Sequence, residues 1–263
     1  MAIAQHIVLR LADSRVVAPS SAARRLVARV VLEQGRGDGL LAFGLADTHQ
    51  HLLVACSREA AGQLARRVEI SLVRRLGLEV GFAPAHVEPV VDGRHLGRAF
   101  PYVLKQCAHH GLEWDPLHEG SNLPDLLGLR LLGAYSAANV RRPLPRVGRS
   151  DLVACLGLET LEPADGPPDQ IFTAALAATA LPDLSSKTGA SVDARRAVVQ
   201  LAGSRLRARE LGSLLGVSDR AVHHLRRRRP ADPRLLQAMR LQLGLIGHRA
   251  GATSPRDRPF STE

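Results

Sequence analysis

The run Thr48-His49-Gln50-His51-Leu52-Leu53-Val54 sets two histidines one residue apart ahead of an apolar stretch. On a strand, residues i and i+2 face the same side. Two imidazoles placed this way can ligate one divalent cation, while Gln50 points away and the apolar run anchors the strand. A second run able to carry chemistry is Pro101-Tyr102-Val103-Leu104-Lys105-Gln106-Cys107. On a helix Tyr102 and Gln106 lie one turn apart on one face, so a phenol nucleophile and an amide ligand can share a site. The plainer readings are a histidine pair arising by chance among 11 histidines and an aromatic packed on a sheet with its hydroxyl at the edge.

The elements around these residues follow from hydrophobic periodicity. Short apolar or alternating runs at His6–Ala12, Gly39–Ala46, His51–Cys56 and Ala85–Val91, each bounded by Gly, Asp, Pro or Ser, read as strands. Between them, Ser20–Gln34 and Arg58–Leu76 carry apolar stripes at helical spacing, the first with Ser20 or Ser21 as N-cap. Asp47-Thr48 makes the middle strand pair a hairpin. A helix after the last strand is expected to start at Pro101, where proline suits the first turn, and to run to about His110, capped by Gly111. The order β-α-β-β-α-β predicts an α+β fold: a ferredoxin-like split βαβ antiparallel sheet with helices on one face. From about Asp115, Pro116 and a series of further prolines and glycines break the pattern. The expected division is therefore a sheet domain over 1–130, a linker with short helices over 131–192, an all-α domain over 193–246 and a disordered tail over 247–263.

A hairpin strand bearing His-x-His, followed by a helix with Tyr and an amide residue four positions on, resembles the HUH endonucleases of the single-tyrosine transposase type, and most closely the REP-associated tyrosine transposases. In those proteins the strand reads Asn-His-hydrophobic-His-Leu-Leu and the helix Tyr-Ile-x-x-Asn-Pro-x-x-Ala-Gly-Leu. Here the helix reads Tyr102 to Leu112 with Gln106 at the amide position and a closing Gly111-Leu112. The resemblance spans residues 5–130. It implies that His49, His51 and Gln106 hold a metal, that Tyr102 is the nucleophile and that Lys105 supports the phenolate. It also implies Mg2+ or Mn2+ in preference to Zn2+, and a 5′-phosphotyrosine intermediate formed on single-stranded or hairpin DNA. Three departures bear on DNA contacts: Asp47-Thr48 precedes the first histidine in place of Pro-Asn, Cys107 replaces a proline, and Phe82–Ala85 lacks the usual basic, aromatic sequence. They motivate an alternative, a catalytically inactive DNA-binding regulator. A zinc hydrolase of small substrates is a third reading, and it leaves the basic region below unexplained.

That basic region is Arg205–Arg226, which reads as a helix-turn-helix. Ala208, Leu211 and Leu215 form one apolar face, Gly216 permits the turn, Ser218 caps the second helix, and Val222 and Leu225 face inward. Arg220, His223 and His224 would then meet base edges and Arg226, Arg227, Arg228 and Arg229 would meet phosphates, unless the pair is an ordinary helical hairpin with a solvated basic face. Charge agrees with a docking role, since the net +10 divides into +2 over residues 1–140 and +8 over 141–263. The two lysines among 35 cations mark a chain in which Arg is the default cation, which weakens Arg abundance alone as a signal. Three cysteines with no CxxC spacing favour a reducing compartment. With no run near the roughly 18 apolar residues of a membrane span, the expectation is a cytoplasmic protein without membrane contact, acting as monomer or homodimer.

Overall fold

The computed structural model describes residues 2–112 and 117–251. Asp115, Pro116 and the tail beyond Gly251 lie outside the described residues. The chain is α+β. It begins with β1 (Ala4–Arg10), α1 (Ser21–Gln34), β2 (Leu40–Leu45), β3 (His49–Val54), α2 (Arg58–Leu76) and β4 (His86–Val90). The strands form one antiparallel sheet in the order β2-β3-β1-β4.

Local chemistry sets the boundaries of the two long helices. Ser20 accepts from the Ala23 N–H and Ser57 from the Ala60 N–H, each at 3.2 Å, satisfying amides that the first turn leaves free. Gly77 closes α2 in the left-handed region at φ 63°. The stripe Leu64, Val68 and Leu72 of α2 and the Val27, Val30 and Val31 face of α1 cover one side of the sheet, against Ile7, Leu9, Leu52 and Val54. Gln50 faces this side as well and is fully buried.

The other side of the sheet is covered by a third helix, so helices lie on both faces rather than one. This helix, α3, runs from Gly93 to Leu104 and buries Leu96, Phe100 and Val103 against Ala4, Leu53 and Val90. It does not start at Pro101. Asp92 caps it, accepting from the His95 N–H at 2.7 Å, and Pro101 sits inside. The helix pauses at Lys105, whose N–H donates to the Pro101 carbonyl, and resumes as α4 (Gln106–His109). Gly44 of β2 lets this backbone in, because a Cβ there would collide with the Val103 carbonyl oxygen.

The stretch expected as a linker packs tightly instead. It follows α5 (Leu123–Leu126) and contains α6 (Tyr135–Arg141), α7 (Arg149–Ala154) and α8 (Pro168–Thr179). Val140, Leu152, Val153, Leu156 and Leu161 join the core beneath α3. The physical demand is the open edge of β2, whose N–H and C=O groups need partners. Asn122, fully buried, accepts from the Phe43 N–H at 2.8 Å and donates to the Leu41 carbonyl at 3.1 Å, and the Leu45 N–H donates to the Gly120 carbonyl. Arg130 holds this segment in place, donating to Asp125 and to the carbonyls of Glu119 and Ser121.

The remaining helices are α9 (Gly189–Ala202), α10 (Ala208–Leu215), α11 (Asp219–Arg227) and α12 (Pro233–Gly251). With α8 they enclose a separate core that includes Val198, Leu211, Leu215, Val222 and Met239. The helix α12 continues past 247, so the expected tail is helical through Gly251. The helical part is tied to the sheet part directly: Arg29 donates to the Ala180 and Thr179 carbonyls at the end of α8, and Gln242 to the Leu129 carbonyl. Among the described residues no helix is long and apolar enough to cross a membrane, and Cys56, Cys107 and Cys155 form no disulfide.

Candidate functional site

The strand period places His49 and His51 on the α3 side of the sheet, together with Leu53. Their ring centroids are 4.8 Å apart. The same surface receives two side chains that the spacing of His49 and His51 could not reveal. His6 of β1 lies diagonally across the ladder, where Val8 pairs with His51, and its Nε2 is 2.8 Å from His51 Nδ1 with the rings stacked at 5.0 Å. His110, just past α4, stands 4.8 Å from His49 in an edge arrangement. One ring nitrogen from each of His49, His51 and His110 falls within 4.8 Å of the others, a grouping able to hold a metal ion.

Tyr102 stands over this group from α3. Its ring is 5.7 Å from His51, 6.3 Å from His6 and 4.9 Å from His109, each edge-on. It is 37% exposed, so the phenol is open to a ligand from solvent. The other tyrosine does structural work. Tyr135 donates its hydroxyl to the Leu32 carbonyl at 2.8 Å, and burial pushes its ionisation far above the ordinary phenol range.

Burial also governs the histidines. It pushes His51 down to about 3, with the neighbouring His6, His49, His110 and His109 lowering it further. His49 is lowered by burial, then by His110 and Arg10. His6 is lowered by burial against the opposing pull of Glu88. These three rings are therefore neutral at pH 7, the form in which imidazole offers a lone pair to a metal.

Gln106 is buried and donates its Nε2 to the Tyr102 carbonyl at 3.0 Å, while its Oε1 makes no hydrogen bond among the described residues. It lines a cavity of about 470 Å³ with Ser21, Gly44, Asp47, Cys107 and Ser121, and none of the cluster histidines belongs to that lining. Lys105 occupies the break between α3 and α4 and is exposed. Its charge is felt at Cys155, where it opposes the upward push of burial on the thiol.

The basic helix pair has its own geometry. Ser218 caps α11, accepting from the Ala221 N–H, and Gly216 turns the chain at φ 64°. Gly212 admits the following turn, since a Cβ there would lie 2.7 Å from the Val217 carbonyl oxygen. Arg220, His223, His224 and Arg226 to Arg229 are all exposed. Three of them are engaged within the protein. Arg226 donates to the carbonyls of Gly203 and Leu206 at 3.2 and 3.1 Å, and the Arg228 Nε donates to His224 Nε2 at 2.9 Å.

His6, His109 and His110 are the residues that sequence reasoning missed. The signal for the last two was present in Cys107-Ala108-His109-His110: His110 follows Gln106 by four residues and His109 follows Tyr102 by seven, both returning to one helical face. No family model, no curated protein and no solved structure matches this chain.

Proposed function

We propose that the chain is a metal-dependent DNA endonuclease and strand transferase that works through Tyr102 on single-stranded or hairpin DNA. The observation that carries this reading is an exposed tyrosine set edge-on at 5.7 Å from a buried, neutral histidine that belongs to a metal-capable cluster. The element order and the sheet order β2-β3-β1-β4 support the ferredoxin-like reading, and the tight turn between α10 and α11 supports a helix-turn-helix.

The residues fit a metal, because His49 and His51 are neutral and His51 Nε2 is a buried nitrogen with no partner among the described residues. His49 and His51 would hold it, with His110 bringing a third ring nitrogen within 4.8 Å. A bound divalent cation neutralises charge on a scissile phosphate and aligns it. The Tyr102 oxygen forms a bond to phosphorus and the bond from phosphorus to the 3′-oxygen breaks. The phenolic proton passes to an imidazole, His109 being the ring nearest the phenol, and the 3′-oxygen leaves as a hydroxyl after taking up a proton. The product is a 5′-phosphotyrosine, and attack by another 3′-hydroxyl reverses the step without an external energy source. The exposed arginines of α11 dock the substrate, in keeping with the +8 carried by the back half.

The test is a covalent-adduct assay with labelled hairpin oligonucleotides and Mg2+, Mn2+ or Zn2+. Wild type is expected to form a denaturation-resistant adduct that Tyr102→Phe does not form. No adduct from wild type on any hairpin, or an equal adduct from the variant, contradicts the reading.

A further inference from the structure

We infer that the histidine cluster is a transition-metal site of three imidazoles, His49, His51 and His110, that His6 is the positioning residue for His51, and that Gln106 is not a ligand. The inference concerns the same site as the nuclease reading but not its chemistry, so a protein that binds metal in this way and never forms a DNA adduct leaves it standing.

The hydrogen bonding of His51 makes the first case. Its Nδ1 is engaged with His6 Nε2 at 2.8 Å, and its Nε2 is buried with no partner among the described residues. A neutral imidazole carries one N–H. When Nδ1 donates to His6, Nε2 is left as a bare lone pair shielded from water. A metal-binding histidine characteristically donates its second nitrogen to a neighbour in this way, which fixes the tautomer and the ring orientation. His49 and His110 each bring a ring nitrogen within 4.8 Å of one on His51, and their rings meet edge-on at 4.8 Å.

Gln106 belongs to a different lining. Its Nε2 donates to the Tyr102 carbonyl, its Oε1 is buried without a partner among the described residues, and it lines a cavity to which none of the cluster histidines belongs. The donor set that remains is all nitrogen. Mg2+ takes oxygen ligands and keeps its waters, whereas imidazole suits Zn2+ and its transition-metal neighbours, and among these Mn2+ binds weakest. The cluster therefore selects Zn2+ over Mn2+, and Mn2+ over Mg2+.

Equilibrium dialysis of the full chain, carrying no polyhistidine tag, against Zn2+, Mn2+ or Mg2+ with elemental analysis reads this directly. One Zn2+ per chain is expected, with no stoichiometric Mg2+ under the same conditions. His110→Ala, at an exposed position, should lose stoichiometric Zn2+, while Gln106→Leu, which keeps the side-chain volume, should retain it. His6→Phe should weaken Zn2+ by about 10- to 100-fold, and His6→Gln, which restores an acceptor, should recover part of that loss. Thermal melts of the metal-free variants identify any that fail to fold, and Co2+ titration of wild type, read by its absorption spectrum, then reports nitrogen ligation independently. Full affinity in His110→Ala, loss of Zn2+ in a folded Gln106→Leu, or Mg2+ bound as tightly as Zn2+ overturns the inference.

Discussion

In the sheet half of the molecule Arg25 and Arg130 are almost excluded from solvent, and each holds a carboxylate at 2.5 Å, Glu119 and Asp125 respectively. On α11 and just beyond its end, Arg220, Arg227 and Arg229 stand in solvent with no ion pair among the described residues. The same side chain is architectural in one region and available to a partner in the other. Histidine divides in the same way: His51 is buried and neutral within a ring cluster, whereas His223 and His224 are exposed on a helix surface. Net charge alone does not make this distinction. The nearly balanced front half contains arginines used to build it and a histidine cluster around the buried, neutral His51, and the excess of the back half includes the arginines a polyanion can reach.

Removing an architectural arginine should have the largest effect. Arg130→Met leaves Asp125 buried without its cation and frees the carbonyls of Glu119 and Ser121. Breaking a buried pair from one side costs about 3–5 kcal/mol, and urea unfolding should register that loss. A variant within 1 kcal/mol of wild type, on the order of a surface change, would place Arg130 with the exposed arginines and break the comparison.

Removing the exposed arginines should do the reverse. The triple variant Arg220→Ala, Arg227→Ala, Arg229→Ala should unfold like wild type but bind DNA with a shallower salt dependence. Each phosphate contact contributes a slope of about 0.9 in log K against log salt, so the slope should fall by about 2–3. An unchanged slope removes α11 from the DNA interface.

Acid sharpens the histidine half of the comparison. Buried His51 is lowered to about 3, and His6 and His49 are lowered as well, while the unfolded chain takes up these protons near the ordinary value of about 6.5. The unfolded state therefore binds more protons than the folded state below about 6.5, and stability falls as pH drops from there toward about 3, with no contribution above 6.5. The urea midpoint should decline between pH 7 and pH 5, and His51→Gln should flatten the decline. A midpoint that does not move over that interval contradicts the neutral cluster.

The smallest effect separates arginines within α11 itself. Arg226→Ala removes two hydrogen bonds to the Gly203 and Leu206 carbonyls and should cost about 1 kcal/mol of stability with little change in salt slope. If it changes the slope as Arg220→Ala does and leaves stability alone, Arg226 belongs with the docking residues.

What was legible in the sequence was local. Strand period put His49 and His51 on one face, helix period set α2, and the apolar faces and Gly216 marked α10 and α11. What was hidden depended on register or on tertiary demand. His6 reaches His51 only because β1 pairs with β3 so that Val8 meets His51. His110 reaches His49 only after the helix has paused at Lys105. Pro101 looked like a helix start because proline suits the first turn, yet the Asp92 cap begins α3 eight residues earlier and its apolar face carries the helix through. Residues 131–192 looked loose because prolines and glycines punctuate them. They pack because the sheet edge and the apolar surface beneath α3 require cover, and Arg130 meets part of that need with a charge that burial patterns do not anticipate.

The central claim is that Tyr102 is the residue joined to DNA. After reaction with a hairpin oligonucleotide and metal, proteolysis and mass spectrometry of the adduct should locate the nucleotide, through a 5′-phosphate, on the peptide containing Tyr102 and nowhere else. Attachment at Tyr135 or at any other side chain, or peptides left unmodified after the DNA has been cut, would contradict it.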